Sequence, residues 1–277
     1  MALTNISGAV AVITGGASGI GLATASAFYA RGGNVVLADI NAAGLEKAKE
    51  QVRSRNPQSQ AEILAIPTDV TNEEQARDLM RQADEHSGHI DLVVTCAGIA
   101  RGGPVDSVAA SDMQAMININ YMGTFLCVQA ALPVMRRQGS GHFVLISSVA
   151  GKLGSAFLSG YCASKWAVRG FSATLRVELY DTGIGVTTVY PAWVDTPMVH
   201  QDEAANRLLN VEVLLTPDQV AEEILAAAAE NRRDLTLAPN RDIAMILPLF
   251  HDNQDQAEDL MGAALRRQIE AAYGKQN

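Results

Sequence analysis

The chain has 277 residues, of which 48% are hydrophobic and 18% are charged, and its formal net charge is −9 at pH 7. This composition provides enough apolar side chains for a sizeable core, and the acidic balance argues against a nucleic-acid-binding surface. The N-terminus has no signal-peptide pattern, no apolar run approaches the ~20 residues that span a bilayer, and the three cysteines form no close metal-ligand pair. We therefore expect a reduced, cytoplasmic protein.

Short Val- and Ile-rich runs alternate with helical patterns up to about residue 240. This alternation is typical of βαβ units that build a parallel sheet. The predicted strands lie at residues 9–14, 34–38, 63–67, 91–95, 142–147, 185–190 and 235–237. The predicted helices lie at residues 20–30, 42–55, 111–138 with a bend at Pro133, about 159–180, and after N-caps at Thr71 and Thr216.

We find no internal repeat or linker, so the sequence predicts a single domain. Residues 1–240 would form the α/β part, with a mobile loop of one or two short helices at 192–215. Residues 241–277 would form a helical tail of the same domain. The apolar run at 243–250 is too short to cross a membrane, and we predict that it packs on the core, on a partner subunit or on a pocket rim.

A glycine-rich turn follows the first predicted strand, with Gly15, Gly19 and Gly21 spaced as G-x-x-x-G-x-G around Ser18 and Ile20. Glycines let the backbone approach a pyrophosphate closely, and the next helix N-terminus offers free N–H groups and a positive dipole end. The turn therefore predicts a dinucleotide site. A glycine turn without a ligand is the alternative.

Two acidic residues follow the next two strands. Asp39 closes the second strand about 20 residues beyond the turn, where a carboxylate can bind the adenosine ribose hydroxyls. Asp69, followed by Val70, ends the third strand and could lie near the adenine. For both residues, capping of the following helix is the alternative.

Tyr161 and Lys165 are four residues apart on a predicted helix, with Ser148 thirteen residues upstream. Residues with this spacing share one helix face, roughly 5–6 Å apart at Cβ. An ammonium beside a phenol favours the phenolate and lowers the phenol pKa. Such a tyrosine can give a proton to a carbonyl oxygen or take one from an alcohol. The alternative is a surface helix whose lysine only covers apolar surface.

Together these motifs resemble the short-chain dehydrogenase/reductase family over about residues 5–240. The matching positions are 14–21, Asp39, Asp69, 96–98, Asn120, Ser148, Tyr161, Lys165 and 191–196. The resemblance implies an α/β fold, a Rossmann-like, doubly wound, seven-stranded parallel sheet with helices on both faces. It also implies an oxidoreductase that binds a nicotinamide cofactor.

The resemblance implies a role for each of four catalytic residues. Tyr161 would be the acid/base, Lys165 would lower its pKa and bind the nicotinamide ribose, and Ser148 would polarise the substrate oxygen. Asn120 would hold a water between Lys165 and solvent. Taken singly, Ser148 could form a Ser-turn and Asn120 could be an ordinary amide inside a helix. The resemblance also implies cofactor contacts by Ala97, Gly98, Pro191, Val194 and Thr196.

The chain departs from the family pattern at two positions. Thr95 stands where many members have asparagine, and we expect its hydroxyl to bond a neighbouring strand. Ala192 replaces the glycine that often follows Pro191, which restricts that turn slightly.

The cofactor is predicted to be NAD rather than NADP. Asp39 would accept hydrogen bonds from the ribose hydroxyls and repel a 2′-phosphate. No basic residue stands at Ser18, Ile40 or Asn41 to bind that phosphate.

The small-molecule substrate is predicted to be a hydrophobic secondary alcohol or ketone. The candidate pocket residues are mostly apolar: Ile99, Leu153, Phe157, Trp193, Met198 and Val199. Arg101 could meet an acidic substrate group, although a solvated surface arginine is the simpler interpretation, and His200 is expected at the surface.

The two long helices carry apolar residues on more than one face, which predicts a homodimer or homotetramer, as the family resemblance also implies. Two other functions remain open. One is a catalytically idle NAD-binding scaffold or redox sensor, and the other is a sugar-nucleotide epimerase, which usually needs a longer chain.

Overall fold

The computed structural model of the protein describes residue 3, residues 5–201 and residues 212–273. Seven parallel strands form one sheet in the order β3-β2-β1-β4-β5-β6-β7. The strands are β1 (Val10–Thr14), β2 (Asn34–Asp39), β3 (Ile63–Pro67), β4 (Leu92–Thr95), β5 (Gly141–Ile146), β6 (Ile184–Pro191) and β7 (Asp234–Leu237). The predicted seven-stranded parallel sheet is therefore confirmed, with strand ends shifted by at most one or two residues.

The helices of the described residues alternate with the strands. They are α1 (Gly19–Ala30), α2 (Ala42–Arg55), α3 (Glu73–Ser87), α4 (Ala110–Met116), α5 (Gly123–Gln138), α6 (Ser159–Glu178), α7 (Pro197–His200), α8 (Pro217–Ala229), α9 (Arg241–Asp252) and α10 (Gln254–Tyr273). A π-helical turn, Ile117–Met122, joins α4 to α5. The predicted N-cap Thr216 opens α8, where it forms a capping box with Gln219.

The sheet separates two hydrophobic cores. Val10 and Val12 of β1 pack in one core with residues of α3, α5 and α6. Ala11 and Ile13 of the same strand pack in the other core with residues of α1, α2 and α8. Because successive strand residues point to opposite faces, this division places helices on both sides of the sheet, as in a doubly wound fold.

The structure corrects two local predictions. The N-cap of α3 is Asn72, whose Oδ1 accepts the Glu74 and Gln75 N–H groups, so the cap lies one residue beyond Thr71. The predicted helix at 111–138 is interrupted by the π-helical turn at Ile117–Met122, and its second part continues through Pro133 to Gln138. Of the predicted loop at 192–215, α7 is one short helix, and residues 202–211 lie outside the described part of the chain.

Among the described residues, one helical stretch, Ala110–Gln138, is long and apolar enough to cross a membrane by length and composition alone. Its Val128, Ala131 and Met135 are buried against the sheet in the hydrophobic core. The stretch is therefore a core helix of this fold, although part of its outer surface is also apolar.

The predicted helical tail is present as α9 and α10. Phe250 of α9 and Ala257 of α10 are buried with Leu153, which follows β5. Asn240 precedes α9 and donates a hydrogen bond of 2.9 Å from Nδ2 to the Glu212 carbonyl oxygen. The tail is thus attached both at its start and at the turn between its helices.

Candidate active site

A cavity of about 850 Å³ opens at the carboxyl ends of the strands. Gly15 lines it after β1, Asp39 at the end of β2, and Cys96 after β4. Ser148 lines it after β5 and Ala192 after β6. Ligands of open parallel sheets bind in this position, because the loops that follow the strands meet there.

The glycine-rich turn forms one wall of the cavity and has no room for side chains. Gly15 has φ +66°, and a Cβ there would lie 2.7 Å from the Ala97 backbone nitrogen. A Cβ on Gly21 would lie 2.3 Å from the Gly15 carbonyl oxygen. These distances require glycine at both positions. They let α1 begin directly against the turn, which fits the close backbone approach that a pyrophosphate needs.

Asp39 lies at the cavity wall beside this turn. Its Oδ2 accepts the Ala17 N–H at 3.2 Å, and its Oδ1 accepts the Asn41 N–H at 3.0 Å. The N-cap of α2 is Asn41, whose side chain accepts the Gly44 N–H at 3.0 Å. The alternative interpretation of Asp39 as the helix cap is therefore wrong, and its carboxylate stays at the cavity.

Asp69 and Val70 line the same end of the cavity. The Oδ1 atom of Asp69 accepts the N–H of Thr71 at 2.9 Å and its hydroxyl at 2.7 Å. Because Asn72 caps α3, Asp69 shapes the turn before that helix rather than the helix end itself.

Ser148, Tyr161 and Lys165 meet on the cavity wall, as the spacing of the tyrosine and lysine on α6 predicted. The Lys165 Nζ donates a 3.0 Å hydrogen bond to the Ile146 carbonyl oxygen and lies 5.6 Å from the centre of the Tyr161 ring. The Ser148 side chain is close enough to the phenol to lower the phenol pKa. Its hydroxyl also accepts the Ala150 N–H at 3.2 Å, so the Ser-turn interpretation and the site interpretation hold together.

Burial dominates the protonation of this pair. It raises the pKa of Tyr161 to about 12, against a smaller lowering by the Ser148 side chain. It also lowers the pKa of Lys165 to about 8, because an ammonium loses its hydration there. Lys165 is not among the groups that shift the phenol pKa, so the expected lowering by this lysine is not met in the protein alone.

Asn120 lies in the π-helical turn and is buried behind the cavity wall rather than lining it. Its Oδ1 accepts the Ile99 N–H at 2.8 Å, while its Nδ2 donates to the Ile99 carbonyl and the Ser164 hydroxyl, each at 2.9 Å. A Cβ on Gly98 would lie 3.1 Å from this Oδ1 and 3.7 Å from the Lys165 Nζ. Asn120 therefore holds the loop after β4 against α6, next to the lysine.

The segment after β6 lies across the glycine-rich turn. Pro191, Val194 and Thr196 all line the cavity, and the Ser148 hydroxyl donates to the Pro191 carbonyl at 3.3 Å. A Cβ on Gly19 would lie 3.2 Å from the Thr196 Cγ2. The segment thus connects the turn to the catalytic candidates.

The two departures from the family pattern have different outcomes. The Thr95 hydroxyl is buried without a hydrogen-bond partner among the described residues, so the predicted bond to a neighbouring strand is wrong. Ala192 keeps a negative φ and donates its N–H to the Leu237 carbonyl at 2.8 Å. Alanine therefore fits that turn without strain.

Most of the predicted pocket residues line the cavity: Ile99, Leu153, Trp193, Met198 and Val199. Phe157 does not line it. Its backbone has φ +63°, and its carbonyl accepts the Gly103 N–H, so this residue turns the chain outside the cavity. Arg101 is exposed and also does not line the cavity, and His200 is exposed in a 2.6 Å pair with Asp195, as expected.

The sequence interpretation gave a pocket rim as one of three positions for the run at 243–250, but it named neither Asp242 nor any residue of α10 among the tail residues that complete the cavity. They are Asp242, Ile243, Met245 and Ile246 of α9, and Leu260, Met261, Ala264 and Arg267 of α10. Their spacing of three and four residues is typical of one helix face, so the sequence held a signal. What that face covers depends on the packing of the tail beside Leu153.

Comparisons with known proteins agree with this geometry. A model of the short chain dehydrogenase family matches residues 9–207. An uncharacterized oxidoreductase of Staphylococcus aureus is 33% identical over 241 residues, which cover 86% of this chain and all of that protein. The mouse 3-ketodihydrosphingosine reductase is 31% identical over 229 residues, which cover 80% of this chain and 69% of that protein.

A solved structure supports the same assignment. A short chain dehydrogenase/reductase from Burkholderia phymatum, crystallised in complex with NAD, superposes with a TM-score of 0.82 and 30% identity. The superposition covers 91% of this chain and 96% of that one. Fold, site and sequence agree, and the chain belongs to the short-chain dehydrogenase/reductase family of oxidoreductases.

Proposed function

We propose that this protein transfers a hydride between NAD(H) and a hydrophobic secondary alcohol or ketone, with Tyr161 as the acid/base. The observation that carries the proposal is the meeting of Ser148, Tyr161 and Lys165 on one cavity wall, with the glycine-rich turn in the same cavity. An idle scaffold would not need a buried lysine beside a phenol at a cavity of this size. A cytoplasmic location is part of the proposal.

The residues of the chain have distinct roles in this reaction. The bound nicotinamide supplies the hydride to the carbonyl carbon or accepts it from the alcohol carbon. In reduction, Tyr161 donates its proton to the carbonyl oxygen, and Ser148 stabilises the charge that develops on that oxygen. A phenol whose pKa is about 12 is protonated at neutral pH and is thus ready to act as the acid.

Lys165 and Asn120 support this step. Lys165 binds the nicotinamide ribose in our proposal, and its ammonium favours the phenolate that remains after proton transfer. Asn120 positions the loop that carries Gly98 beside this lysine. A water held by Asn120 between the lysine and solvent stays a prediction.

The proposal of NAD rests on Asp39. Its carboxylate lies at the cavity and is tied to two backbone N–H groups, which fix its position. The following residue, Ile40, is 73% exposed and offers no positive charge to a 2′-phosphate. The similar Burkholderia phymatum protein was solved with NAD.

We also propose a homodimer or homotetramer formed through the helices around the π-helical turn and α6. Tyr121 and Phe125 both pack edge-on against Phe171, with ring centres 6.3 and 5.6 Å apart. Met122 and Trp166 on the same helices are more than a third exposed. Sedimentation of the full chain tests this assembly, and a stable monomer would contradict it.

The Tyr161→Phe variant tests the function, with NADH absorbance followed against a panel of hydrophobic ketones. Loss of the general acid should lower kcat by roughly 10²–10⁴-fold while NADH binding is retained. Tyr180→Phe is the matched control, because Tyr180 is 79% exposed and lies outside the cavity. Near-normal turnover by Tyr161→Phe would disprove the mechanism.

A further inference from the structure

Helices α9 and α10 place a row of apolar side chains along the cavity, and this row ends at the charged residue Arg267. On α10 the cavity-lining residues are Leu260, Met261, Ala264 and Arg267, which lie along one face of the helix. Leu260 is 49% exposed, and Met245 of α9 is 66% exposed although it also lines the cavity. Exposed apolar side chains around a cavity mouth mark a surface that a ligand can cover.

Three of the other four charged residues of the cavity, all except Asp242, have hydrogen-bond partners in the chain. Asp39 and Asp69 accept hydrogen bonds from neighbouring groups of the chain, and Lys165 donates to the Ile146 carbonyl. Arg267 has no ion pair or hydrogen bond with any residue that the structure describes. Its guanidinium is therefore available to an anion, for which its planar donors are well suited.

Arg267 lies beyond the apolar cavity residues along α10, which indicates the shape of such a ligand. Met261 packs beside Leu153, which lines the cavity after β5. Arg267 follows Met261 by six residues, which corresponds to roughly 9 Å along the helix axis. A ligand that reaches both Leu153 and Arg267 must be elongated and apolar over most of this length.

We propose that Arg267 binds a carboxylate at the far end of an elongated, apolar carbonyl substrate, whose body packs along α9 and α10. The inference rests on the proposed function, since it names the substrate class of the same site. Asp242 lines the cavity from the first turn of α9 and opposes the anion by like charge, so it tunes the affinity in the other direction.

The experiment compares straight-chain methyl ketones that end in a carboxylate with their methyl esters, across a series of chain lengths, with NADH as reductant. The ester has nearly the same apolar body and lacks only the charge. The expected wild-type result is a higher kcat/KM for the acid, through a lower KM, at chain lengths that reach Arg267.

Arg267→Gln should lower kcat/KM for the acid by about tenfold and leave the ester unchanged, because it removes one charge-assisted contact. Arg267→Lys should retain part of the preference, and Asp242→Asn should increase it. Arg266→Gln is the matched control, because Arg266 is exposed on the same helix, does not line the cavity and carries the same charge.

Three results would overturn the proposal. One is equal use of acid and ester by the wild-type protein at every chain length. Another is an equal effect of Arg266→Gln and Arg267→Gln, which would show that the preference for the acid depends only on the net charge of the protein. The third is an equal loss for acid and ester in Arg267→Gln. Reduction of other ketones in a Tyr161-dependent manner would then still support the proposed function, whereas no carbonyl reduction at all would overturn both.

Discussion

The two halves of the cavity are built differently. The dinucleotide half is formed by backbone: the Gly15–Ala97 and Gly21–Gly15 approaches leave no room for a Cβ, and Asp39 is tied to two N–H groups. The proposed substrate half is formed by side chains, among them those of α9 and α10, and Met245 and Leu260 there are partly exposed. Backbone contacts tolerate few substitutions, while side chains can be exchanged, so this fold can keep one cofactor and change its substrate.

The largest effect on NADH affinity is expected from a substitution at the close backbone contact between Gly21 and Gly15. Gly21→Ala would place a Cβ 2.3 Å from the Gly15 carbonyl oxygen, so the turn must move away from α1. Overpacking of this kind typically costs about 1–3 kcal/mol of folding free energy. Because the displaced turn must regain its geometry to bind the cofactor, we expect NADH affinity to fall by up to about a hundredfold. Calorimetric titration with NADH measures it.

Gly170→Ala is the control for this change. Gly170 lies on α6, and a Cβ there meets nothing within 4 Å. Its variant should bind NADH normally. Normal binding by Gly21→Ala as well would remove the contrast between the two halves.

The next effect concerns cofactor choice. Asp39→Ser combined with Ile40→Arg should move the preference from NAD toward NADP, by about a hundredfold in the ratio of kcat/KM values, because repulsion is replaced by attraction. Measurement of kcat/KM with both reduced cofactors decides it. Equal or better use of NADPH by the unmodified protein would contradict the role of Asp39.

A smaller effect follows from the pKa of Lys165, which burial lowers to about 8. The ammonium is present below this pH and is lost above it, while Tyr161, with a pKa of about 12, keeps its proton throughout. For ketone reduction, kcat/KM should therefore fall as pH rises through about 8, up to about tenfold per pH unit, since kcat/KM reports groups of the free enzyme.

Lys165→Arg checks the origin of this pH dependence. Guanidinium stays charged over the whole range. The kcat/KM that the variant retains should begin to fall only at a pH well above 8, or should not fall at all over the measured range. An unchanged profile would assign the titration to another group.

The smallest effect is expected in the tail. A Cβ on Gly262 of α10 meets nothing within 4 Å, so alanine there fits without contact. Replacing glycine by alanine in a helix interior stabilises it by roughly 0.5–1 kcal/mol. Thermal unfolding should show a slightly higher Tm with unchanged NADH affinity, whereas weaker NADH binding would mean that the two halves are coupled.

Much of the fold and of the cofactor half could be predicted from the sequence, because local patterns encode them. Alternating apolar runs identified the strands, glycine spacing identified the turn, and the spacing of Tyr161 and Lys165 placed them on one helix face. Each of these signals depends on neighbours within about one turn or one strand. The same holds for the Thr216 cap, which needs only Gln219.

Tertiary packing alone decided the rest, because burial and long-range contacts are not written in short patterns. The Thr95 hydroxyl has no hydrogen-bond partner among the described residues, Phe157 turns away from the cavity, and desolvation raises the pKa of Tyr161. The sequence determined that residues 243–250 would pack somewhere. The packing of Phe250 beside Leu153 decided that α9 and α10 complete the cavity and bring Arg267 to it. A sequence pattern can identify an apolar helix face, but the role of that face depends on what it packs against.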